Sequence, residues 1–463
     1  MHVLIVGAGI AGLTAAIALR HKGIDATIIE QAPQLSEIGA GIQIASNGSV
    51  VLRELGLEQA VAAKSVIPKS FDMRDIRNGK LLYVSPLGEE GAQRWGAPLY
   101  NIHRADLIEI LADALPAKSL RLGVHCTGFE QDESGVTVHI KGGDDLHGDV
   151  LIAADGIHSV IRKQLFGEDD VQFSNILMWR ALIPAEKLEG IDLPERGNYW
   201  FGPGRTLITY WIRPQNLYSI LASVPSGEVH RESWTESGDI EELRASFADL
   251  EPRAQAMMDQ IDTAFLTGMF YRDPIDRWTD RRVTLMGDAA HPMVPFLAQG
   301  ACQGIEDAWV LATMLEHYGE DNLETALEEY EQRRRPRTTR VQSGARAMVK
   351  LVHESEPERI KARNGRWKGM QHIDPMTEAT WAFVWDYNVL EEVKRPAGEV
   401  QGLSATREDK KMERPESQRA FDMWKSAFTA EDVARGHDGM REGYDRFLTT
   451  HFPAPDDLSV ENA

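Results

Sequence analysis

The sequence predicts an α/β fold in which a discontinuous Rossmann-like domain is interrupted by an inserted β-sheet domain and followed by a helical C-terminal extension. Two observations lead to this prediction. A glycine-rich turn joins an apolar run to a helical stretch at the N-terminus, and two later apolar runs end in acidic glycine turns at Asp155 and Asp288. These are typical features of one parallel sheet. Strand-rich stretches lie between the turns, which indicates an insertion.

Composition excludes several functional classes. The chain has 463 residues, with 50 Lys and Arg against 71 Asp and Glu, and a net charge of −21. Such acidity argues against binding to nucleic acid or to an anionic membrane. The length is too great for one hydrophobic core. The two cysteines, Cys126 and Cys302, fit a reducing compartment, so we expect a cytoplasmic protein. The apolar run at 3–19 contains three glycines and follows no basic residue, so neither a signal peptide nor a membrane span is predicted.

The N-terminal turn has the context that dinucleotide binding requires. A strand at His2–Val6, a helix at Leu13–His21 and a strand at Asp25–Glu30 are predicted, with the G-x-G-x-x-G glycines between the first two: Gly7, Gly9 and Gly12. The first glycine allows the tight turn, the second the approach of a pyrophosphate, and the third the packing of helix on strand. A carboxylate at the strand end can bind a ribose. The turn alone leaves NAD and FAD open.

Two further motifs favour FAD. A predicted strand at Asp149–Ala154 leads into Asp155 and Arg162, and another at Arg282–Met286 leads into Asp288. An aspartate at a strand end is placed to hold a polyol hydroxyl. The backbone N–H groups of Gly300 and Ala301, at the start of the next helix, can stabilise negative charge on a ring. A reduced flavin needs both features, whereas an NAD dehydrogenase needs neither.

With these motifs, the sequence resembles the single-component FAD-dependent aromatic hydroxylases (group A flavoprotein monooxygenases) over residues 1–345. The resemblance implies a fold like that of p-hydroxybenzoate hydroxylase, FAD as cofactor, and NADH or NADPH as a transient co-substrate with molecular oxygen. It places Pro295 beside the isoalloxazine, with a carbonyl that faces the substrate. The residues that it assigns to cofactor binding are Gly7, Gly9, Ala11, Gly12, Glu30, Gln31, Gly41, Arg104, Asp155, Arg162, Asp288, Gly300 and Ala301.

The predicted domains follow from the positions of the motifs. The FAD-binding domain comprises residues 1–70, 99–171 and 267–345, and the substrate domain comprises 71–98 and 172–266. A helical region at 346–463 contains a charged, mobile linker near 399–417. Strands are predicted at Ile176–Ile183 and within Asn198–Ile212.

The strand through residue 206 is predicted to form the wall of the substrate pocket. If it is extended, every second residue faces the flavin side: Thr206, Ile208, Tyr210 and Ile212. Arg180, Arg205 and Arg213 are candidates for gripping a substrate carboxylate, and none of the three is distinguished. We expect the substrate-binding residues to be Thr206, Ile208, Tyr210, Arg180 and Pro295.

The general base is the open question. The resemblance implies a histidine at the end of a Gly-Pro-x-x-His stretch, but here that position is Thr206. Tyr210 matches a catalytic tyrosine of some family members and is expected to orient the substrate or relay a proton, since a tyrosine with a pKa near 10 is a poor base. It is equally well explained as an interior tyrosine. Gln43 stands where the resemblance implies a histidine in some family members. Its amide can hydrogen-bond a substrate but cannot take its proton. Pro295 completes the predicted catalytic set.

Other residues are given structural interpretations. His291 is explained by the flavin motif and Cys302 by packing, and no metal site is indicated. Ala326–Arg337 is predicted to be a solvated helix. Four aromatic residues at alternate positions are expected to pack on the core, cover a pocket or meet a partner subunit: Trp381, Phe383, Trp385 and Tyr387. A homodimer is therefore an open possibility, and the tail after Arg395 has no functional interpretation.

The functional hypothesis is an FAD-dependent monooxygenase that uses NAD(P)H and O2 to hydroxylate a small phenolic or N-heteroaromatic acid. The resemblance implies oxygen transfer through a flavin C4a-hydroperoxide, with loss of CO2 where the attacked carbon bears the carboxyl group. Two alternatives stay open: a related monooxygenase acting on a larger polycyclic substrate, and a flavin-binding sensor without turnover.

Overall fold

The computed structural model describes residues 1–35, 40–214, 216–227, 237–370 and 382–396. The predicted linker near 399–417 and the part of the helical region that follows it lie outside these residues.

The strands of the described residues fall into four sheets. They are β1 (His2–Val6), β2 (Asp25–Glu30), β3 (Gly41–Ile44), β4 (Ser65–Val66), β5 (Ser70–Asp75), β6 (Leu81–Pro86), β7 (Tyr100–His103), β8 (Leu120–Leu122), β9 (Cys126–Gln131), β10 (Val136–Ile140), β11 (Leu146–Gly148), β12 (Val150–Ala153), β13 (Gln172–Pro184), β14 (Gly197–Gly202), β15 (Arg205–Arg213), β16 (Leu217–Pro225), β17 (Phe265–Tyr271), β18 (Thr279–Asp280) and β19 (Val283–Leu285).

The α-helices lie between and around these sheets. They are α1 (Ile10–His21), α2 (Ser46–Glu54), α3 (Glu58–Lys64), α4 (Gly88–Trp95), α5 (Arg104–Asp113), α6 (Val160–Phe166), α7 (Ile240–Ser246), α8 (Pro252–Met258), α9 (Gly300–Tyr318), α10 (Leu323–Val352), α11 (Pro357–Met370), α12 (Ala382–Trp385) and α13 (Val389–Glu392). Among the residues described, none of these helices is long and apolar enough to cross a membrane.

A six-stranded sheet carries the three sequence motifs at neighbouring strand ends. Its order is β18-β19-β12-β1-β2-β8, and the central strands β19, β12, β1 and β2 are parallel. The interior of β1 is apolar and buried, as a strand covered on both faces requires. The strands predicted around the motifs are confirmed, although β12 and β19 are each shorter than expected. The α/β fold class is confirmed.

A seven-stranded sheet is formed by two separate stretches of the chain, one with β5 and β6 and the other with β13 to β17. Its order is β17-β13-β16-β15-β14-β5-β6, and all its pairs are antiparallel except β14 with β5. Leu207 and other residues of one face pack against α7 and α8 in a separate hydrophobic cluster that includes Phe247 and Met257. The opposite face, which carries Ile208, joins the larger core of the first sheet. The predicted alternation along β15 is therefore confirmed. The domain boundaries remain predictions.

Two small sheets complete the fold. The order β3-β7-β4 is antiparallel and brings the loop after β2 against the seven-stranded sheet, while β9, β10 and β11 form an antiparallel meander.

The prediction of a solvated helix at Ala326–Arg337 is wrong. This segment belongs to the thirty-residue helix α10, in which Arg333, Arg334 and Arg337 are buried. Arg333 pairs with Glu329 one turn earlier in the same helix. Arg334 and Arg337 pair with acidic residues of α9, and the residue pattern along one helix cannot reveal such partners.

The aromatic segment near residue 385 packs on the core, as one of the three expectations proposed. Trp385 lies 4.9 Å from Trp95 and 5.9 Å from Phe71, measured between ring centroids. The Arg337 guanidinium lies 3.7 Å from the centroid of the Tyr387 ring. Trp381 and the side chain of Phe383 lie outside the described part of the chain.

Candidate flavin and substrate site

The glycine-rich turn has one open glycine between two enclosed ones. Gly7 has a φ of +103°, and a Cβ there would lie 2.3 Å from the Ala154 carbonyl oxygen. A Cβ at Gly12 would lie 2.0 Å from the Gly7 carbonyl oxygen, whereas a Cβ at Gly9 would meet no atom within 4 Å. The enclosed glycines hold the strand, turn and helix together, and Gly9 leaves room for a ligand. This arrangement fits the approach of a pyrophosphate.

The carboxylate predicted to bind a ribose is held by the same turn. Glu30 accepts hydrogen bonds from the backbone N–H groups of Ala8 at 2.9 Å and Ala32 at 2.8 Å. Each carboxylate oxygen retains a further lone pair for a hydroxyl. Gln31 is exposed beside it. The role of both residues in FAD binding remains a prediction.

Residues of the third motif gather where α9 begins. Asp288 is exposed, and its Oδ1 lies 3.8 Å from the ideal Cβ position of Gly300, the first residue of α9. The side chain of Gln299, which precedes the helix, makes no capping hydrogen bond, and the first N–H groups of a helix can bind an anionic ring edge. Asp288 and this helix start therefore lie together, as a ribityl chain and flavin ring would require.

Ala11 joins the first motif to the third. Its Cβ lies 2.9 Å from the ideal Cβ position of Gly287 and 2.8 Å from that of Gly304. Gly304 therefore lets α1 approach α9 closely, and Gly287 lets it approach the turn after β19. The sequence resemblance placed Ala11 among the cofactor contacts, and the structure gives it this packing role as well.

Asp155 and Arg162 are engaged inside the protein. The buried Arg162 donates from Nη1 to the carbonyl oxygens of Ala289 at 2.9 Å and Ala290 at 3.1 Å, and it pairs with Asp169. Asp155 accepts a hydrogen bond from the Val160 N–H, and burial raises the pKa of its carboxyl. These contacts hold the turn that follows Asp288 against the 155–169 loop. Binding of FAD or nicotinamide by either residue remains a prediction.

The loop after β2 is fastened to the substrate sheet. A Cβ at Gly41 would lie 2.6 Å from Ser219 Oγ, so only glycine lets β3 approach the sheet so closely. Gln43 donates from Nε2 to Asn101 Oδ1 at 3.1 Å and accepts at Oε1 from the Tyr199 hydroxyl at 3.0 Å. This buried amide therefore connects the small β3-β7-β4 sheet to β14 of the seven-stranded sheet. Its predicted catalytic role is untested.

Arg104 is at the position that the resemblance assigns to an FAD contact. It is the first residue of α5, is half-buried, and donates its backbone N–H to the Ala40 carbonyl oxygen. The helix start therefore lies beside the loop that leads into β3.

A buried cluster of charges supports the start of α9. Arg334 and Arg337 of α10 pair with Glu306, at 2.6 Å and 2.7 Å, and Arg334 also pairs with Asp307 at 2.7 Å. Burial alone would raise the pKa of Asp307, but the charges of His291 and Arg334 lower it to about 2. Asp307 Oδ2 lies 2.6 Å from His291 Nε2, which agrees with the structural interpretation of His291. The sequence analysis did not find this cluster.

The substrate-side pocket is a small apolar space between the seven-stranded sheet and α10. About 250 Å³ lies between its walls, including the open mouth. Four residues of the seven-stranded sheet form its floor: Tyr199, Phe201, Thr206 and Ile208. Its roof is formed by Phe296, which follows Pro295, and by Met348 and Val352 of α10.

Two of the five predicted substrate residues, Thr206 and Ile208, line this pocket. Tyr210 lies one step further along β15, where it is buried opposite Ser219. Burial raises its pKa, so the hydroxyl stays protonated and does not act as a base. Arg180 lies close enough for its charge to act on Tyr210. Pro295 is exposed, and its carbonyl accepts from the Ala298 N–H. Contacts of these three with a substrate remain predictions.

Four of the five lining residues that were missed come from two elements, and the fifth, Phe296, follows the predicted Pro295. Tyr199 and Phe201 alternate along β14 and share the face of Thr206, so strand periodicity contained that signal. Met348 and Val352 come from α10, and no sequence pattern relates that helix to the sheet.

Taken together, the turn residues fit FAD. The open space beside Gly9, the exposed carboxylate of Asp288 and the start of α9 lie along one edge of the parallel sheet. They match a pyrophosphate, a ribityl chain and the electron-rich edge of a flavin ring.

Comparison with characterised proteins gives close relatives. The chain is 35% identical over 384 residues to 3-amino-4-hydroxybenzoate 2-monooxygenase PtmB3 of Streptomyces platensis, covering 82% of this chain and 95% of the relative. It is 33% identical to 3-hydroxybenzoate 6-hydroxylase of Polaromonas naphthalenivorans, covering 83% and 96%. It is 32% identical to 6-hydroxynicotinate 3-monooxygenase of Pseudomonas fluorescens, covering 74% and 89%.

Solved structures agree in fold. Klebsiella pneumoniae HpxO complexed with FAD and uric acid superposes with a TM-score of 0.73 at 26% identity, covering 80% of this chain and 93% of the other. A salicylate hydroxylase substrate complex gives 0.72 at 24% identity, covering 85% and 97%. The family described as FAD binding domain matches residues 1–345. The chain therefore belongs to the FAD-dependent aromatic hydroxylases, a family of flavoprotein monooxygenases whose cofactor is FAD.

Proposed function

We propose that this protein uses NAD(P)H and O2 to hydroxylate a single-ring aromatic acid that carries a hydroxyl group, such as a hydroxybenzoate or a hydroxynicotinate. The pocket is the observation that carries the proposal. Its lining is mostly apolar and aromatic and includes the Thr206 hydroxyl, which is the combination of groups that suits an aromatic ring with a hydroxyl group. The acids named for the three relatives are all single rings with a hydroxyl group.

The residues around the pocket have separable tasks. Tyr199, Phe201, Ile208 and Phe296 are apolar walls that hold a ring and exclude water, while the Thr206 hydroxyl is the polar group available to a phenolic oxygen. FAD, when bound and reduced, supplies the activated oxygen. Gly9, Asp288 and the start of α9 would hold it. Arg180 is our candidate for the substrate carboxylate, because it lies on the same face of the sheet as Ile208 and Leu221.

The test measures NADH and NADPH oxidation by the FAD-loaded protein with a panel of acids. The panel contains 3-amino-4-hydroxybenzoate, 3-hydroxybenzoate, 6-hydroxynicotinate and salicylate, with uric acid and a polycyclic phenol as alternatives. We expect at least one single-ring acid to stimulate oxidation and to gain one oxygen atom, detected by mass spectrometry. Stimulation by the polycyclic phenol or uric acid alone would contradict the assignment. No stimulation by any compound would favour the sensor hypothesis.

A variant tests whether this pocket is the one used. Ile208→Trp fills the space with a larger ring and should abolish substrate-stimulated NADH oxidation while FAD content is unchanged. Unchanged turnover in this variant would place the substrate elsewhere.

A further inference from the structure

Thr206 lines the pocket, and its hydroxyl belongs to a chain of buried hydrogen bonds that leads away from the pocket. Thr206 Oγ1 lies 2.6 Å from Ser223 Oγ, and Ser223 Oγ lies 2.8 Å from His353 Nε2. The three residues are 1%, 0% and 8% exposed, respectively. We propose that Thr206, Ser223 and His353 form a relay that carries the phenolic proton of the substrate out of the pocket during hydroxylation, a proposal that rests on the proposed function.

Three separate elements align the relay. Thr206 and Ser223 are directly opposite each other on β15 and β16, so their side chains point to the same face. His353 follows the last residue of α10, whose Met348 and Val352 roof the pocket. The Gly204 N–H donates to the Glu354 carbonyl oxygen at 3.0 Å, which ties the β14–β15 turn to the end of α10. The spacing from Thr206 to His353 is therefore set by backbone contacts.

The donors and acceptors of the relay are arranged so that a proton can pass from the pocket to His353. His353 Nδ1 lies 2.9 Å from the Val349 carbonyl oxygen, which can only accept. The proton of the neutral imidazole must therefore be on Nδ1, and Nε2 is an acceptor. Ser223 then donates to Nε2 and accepts from Thr206. The remaining acceptor capacity of Thr206 Oγ1 is available to a phenolic O–H group in the pocket.

The surroundings of His353 keep it neutral. Burial lowers its pKa to about 4, and although the Val349 carbonyl opposes this shift, the nearby Arg363 adds to it. Arg363 of α11 donates to the carbonyl oxygen of Leu351, two residues before His353, at 3.1 Å. Glu354, the adjacent acid, accepts from the N–H groups of Ser355 and Glu356. The ring of Phe296, the residue after Pro295, packs edge-on against the imidazole of His353.

A base as weak as His353 can accept the phenolic proton only during the transfer of oxygen to the ring. It does not remove the proton of a resting phenol, whose pKa lies near 10. A ring that is gaining an electrophilic oxygen is a far stronger acid, and a weak base then suffices. We therefore expect the bound phenol to stay protonated at pH 7 until oxygen transfer begins.

The proton balance closes. As the oxygen atom adds to the ring, the phenolic O–H bond breaks and an N–H bond forms at His353 Nε2, while Thr206 and Ser223 each accept one proton and pass on another. The ring carbon then loses its hydrogen as a proton, which leaves with the second oxygen atom of O2 as water, and the phenolic oxygen regains a proton from His353 along the same chain. The imidazole is neutral again, and the oxygen atom comes from O2 in the proposed reaction.

The first test compares His353→Gln with the wild type in single turnovers of the pre-reduced, FAD-loaded protein with the three hydroxy acids named for the relatives. Glutamine can accept from Ser223 but cannot take a proton. We expect oxygen transfer at pH 7 to fall at least tenfold, while FAD content and substrate affinity are retained. Raising the pH toward 9 should restore the variant by about tenfold per unit, since solvent then ionises the phenol, whereas the wild type changes little. A wild-type rate at pH 7, or a loss that high pH does not restore, would overturn the relay.

The second test needs no turnover. Binding of 3-hydroxybenzoate is compared with binding of 3-methoxybenzoate, whose ether cannot donate to Thr206. Thr206→Val should abolish the preference for the hydroxyl, while Thr206→Ser keeps it. Thr209→Val is the matched control, because it breaks a buried hydroxyl pair with Tyr218 on the other face of the same strand. Equal loss of preference in Thr209→Val, or retention in Thr206→Val, would contradict the pocket end of the relay. Failure of every acid to stimulate NADH oxidation would instead reject the proposed function.

Discussion

At the scale of single residues, the glycine-rich turn separates two requirements that the sequence pattern combines. Gly12 is enclosed by backbone, since a Cβ there would lie 2.0 Å from the Gly7 carbonyl oxygen. Gly9 has a φ of −73° and a ψ of −177°, which any residue can adopt, and nothing within 4 Å of an added Cβ. The fold therefore requires glycine at position 12, whereas only a ligand requires it at position 9.

This contrast predicts different outcomes for two alanine variants. Gly9→Ala should leave the apoprotein within about 1 kcal/mol of the wild-type free energy of unfolding, the scale of an N-cap change, but weaken FAD binding at least tenfold. Gly12→Ala should lower both stability and FAD binding, because two backbone segments must separate. Urea unfolding of the apoprotein and titration with FAD measure the two effects. If Gly9→Ala binds FAD as the wild type does, the pyrophosphate does not lie beside this residue.

At the scale of elements, α10 performs two tasks that its sequence pattern does not suggest. Its middle carries Arg334 and Arg337 into the buried cluster with Glu306 and Asp307, and its end roofs the substrate pocket with Met348 and Val352. A displacement of α10 would therefore shift both the start of α9 and the roof of the pocket. We infer that the cluster fixes α10 against α9.

Neighbouring arginines of α10 allow this inference to be tested. Arg337→Met leaves Glu306 buried with one fewer partner and should cost about 3–5 kcal/mol, the usual penalty for breaking a buried ion pair. Arg335→Met is the matched control, because Arg335 is partly exposed and pairs with Glu331 and Asp276 at 3.5 Å and 3.8 Å. It should cost less than about 1 kcal/mol. Equal losses in urea unfolding would show that the buried cluster contributes little.

At the scale of the whole molecule, charge acts against the proposed substrate. A protein with a net charge of −21 repels an anionic acid until local arginines dominate. Salt screens this long-range field, with a Debye length of about 10 Å at 0.1 M, more than it weakens contacts inside a buried pocket.

We therefore expect association with 3-hydroxybenzoate to become faster as salt is added. Between low salt and about 0.2 M, the association rate measured by stopped-flow flavin absorbance should rise by about twofold to fivefold. The neutral 3-hydroxybenzyl alcohol is the control and should show no change. A rate that falls with salt for the acid would mean that a positive local field at the pocket mouth outweighs the net charge.

Local patterns were sufficient to predict the parallel sheet, the three turn motifs and the alternation along β15. Each depends on residues that are close in the chain, since glycine spacing and strand periodicity are read over a few positions. Only two of the seven residues that line the pocket were predicted: Thr206 and Ile208 follow from periodicity, while Met348 and Val352 come from a helix more than a hundred residues away. The family resemblance favoured Tyr210 as a catalytic residue. In the structure it lies beside the pocket, and burial raises its pKa so that the hydroxyl stays protonated.

By itself, the sequence determined the cofactor class, the order of the elements and the absence of a histidine at position 206. Only the tertiary structure decided which side chains lie behind the threonine at that position. His353 is 147 residues from Thr206 along the chain, and Ser223 joins them only because β15 pairs with β16 and α10 ends above both strands. A hydrogen-bonded chain depends on distances of about 3 Å between atoms. Such distances are set by packing and strand register, which residue spacing in the sequence does not contain.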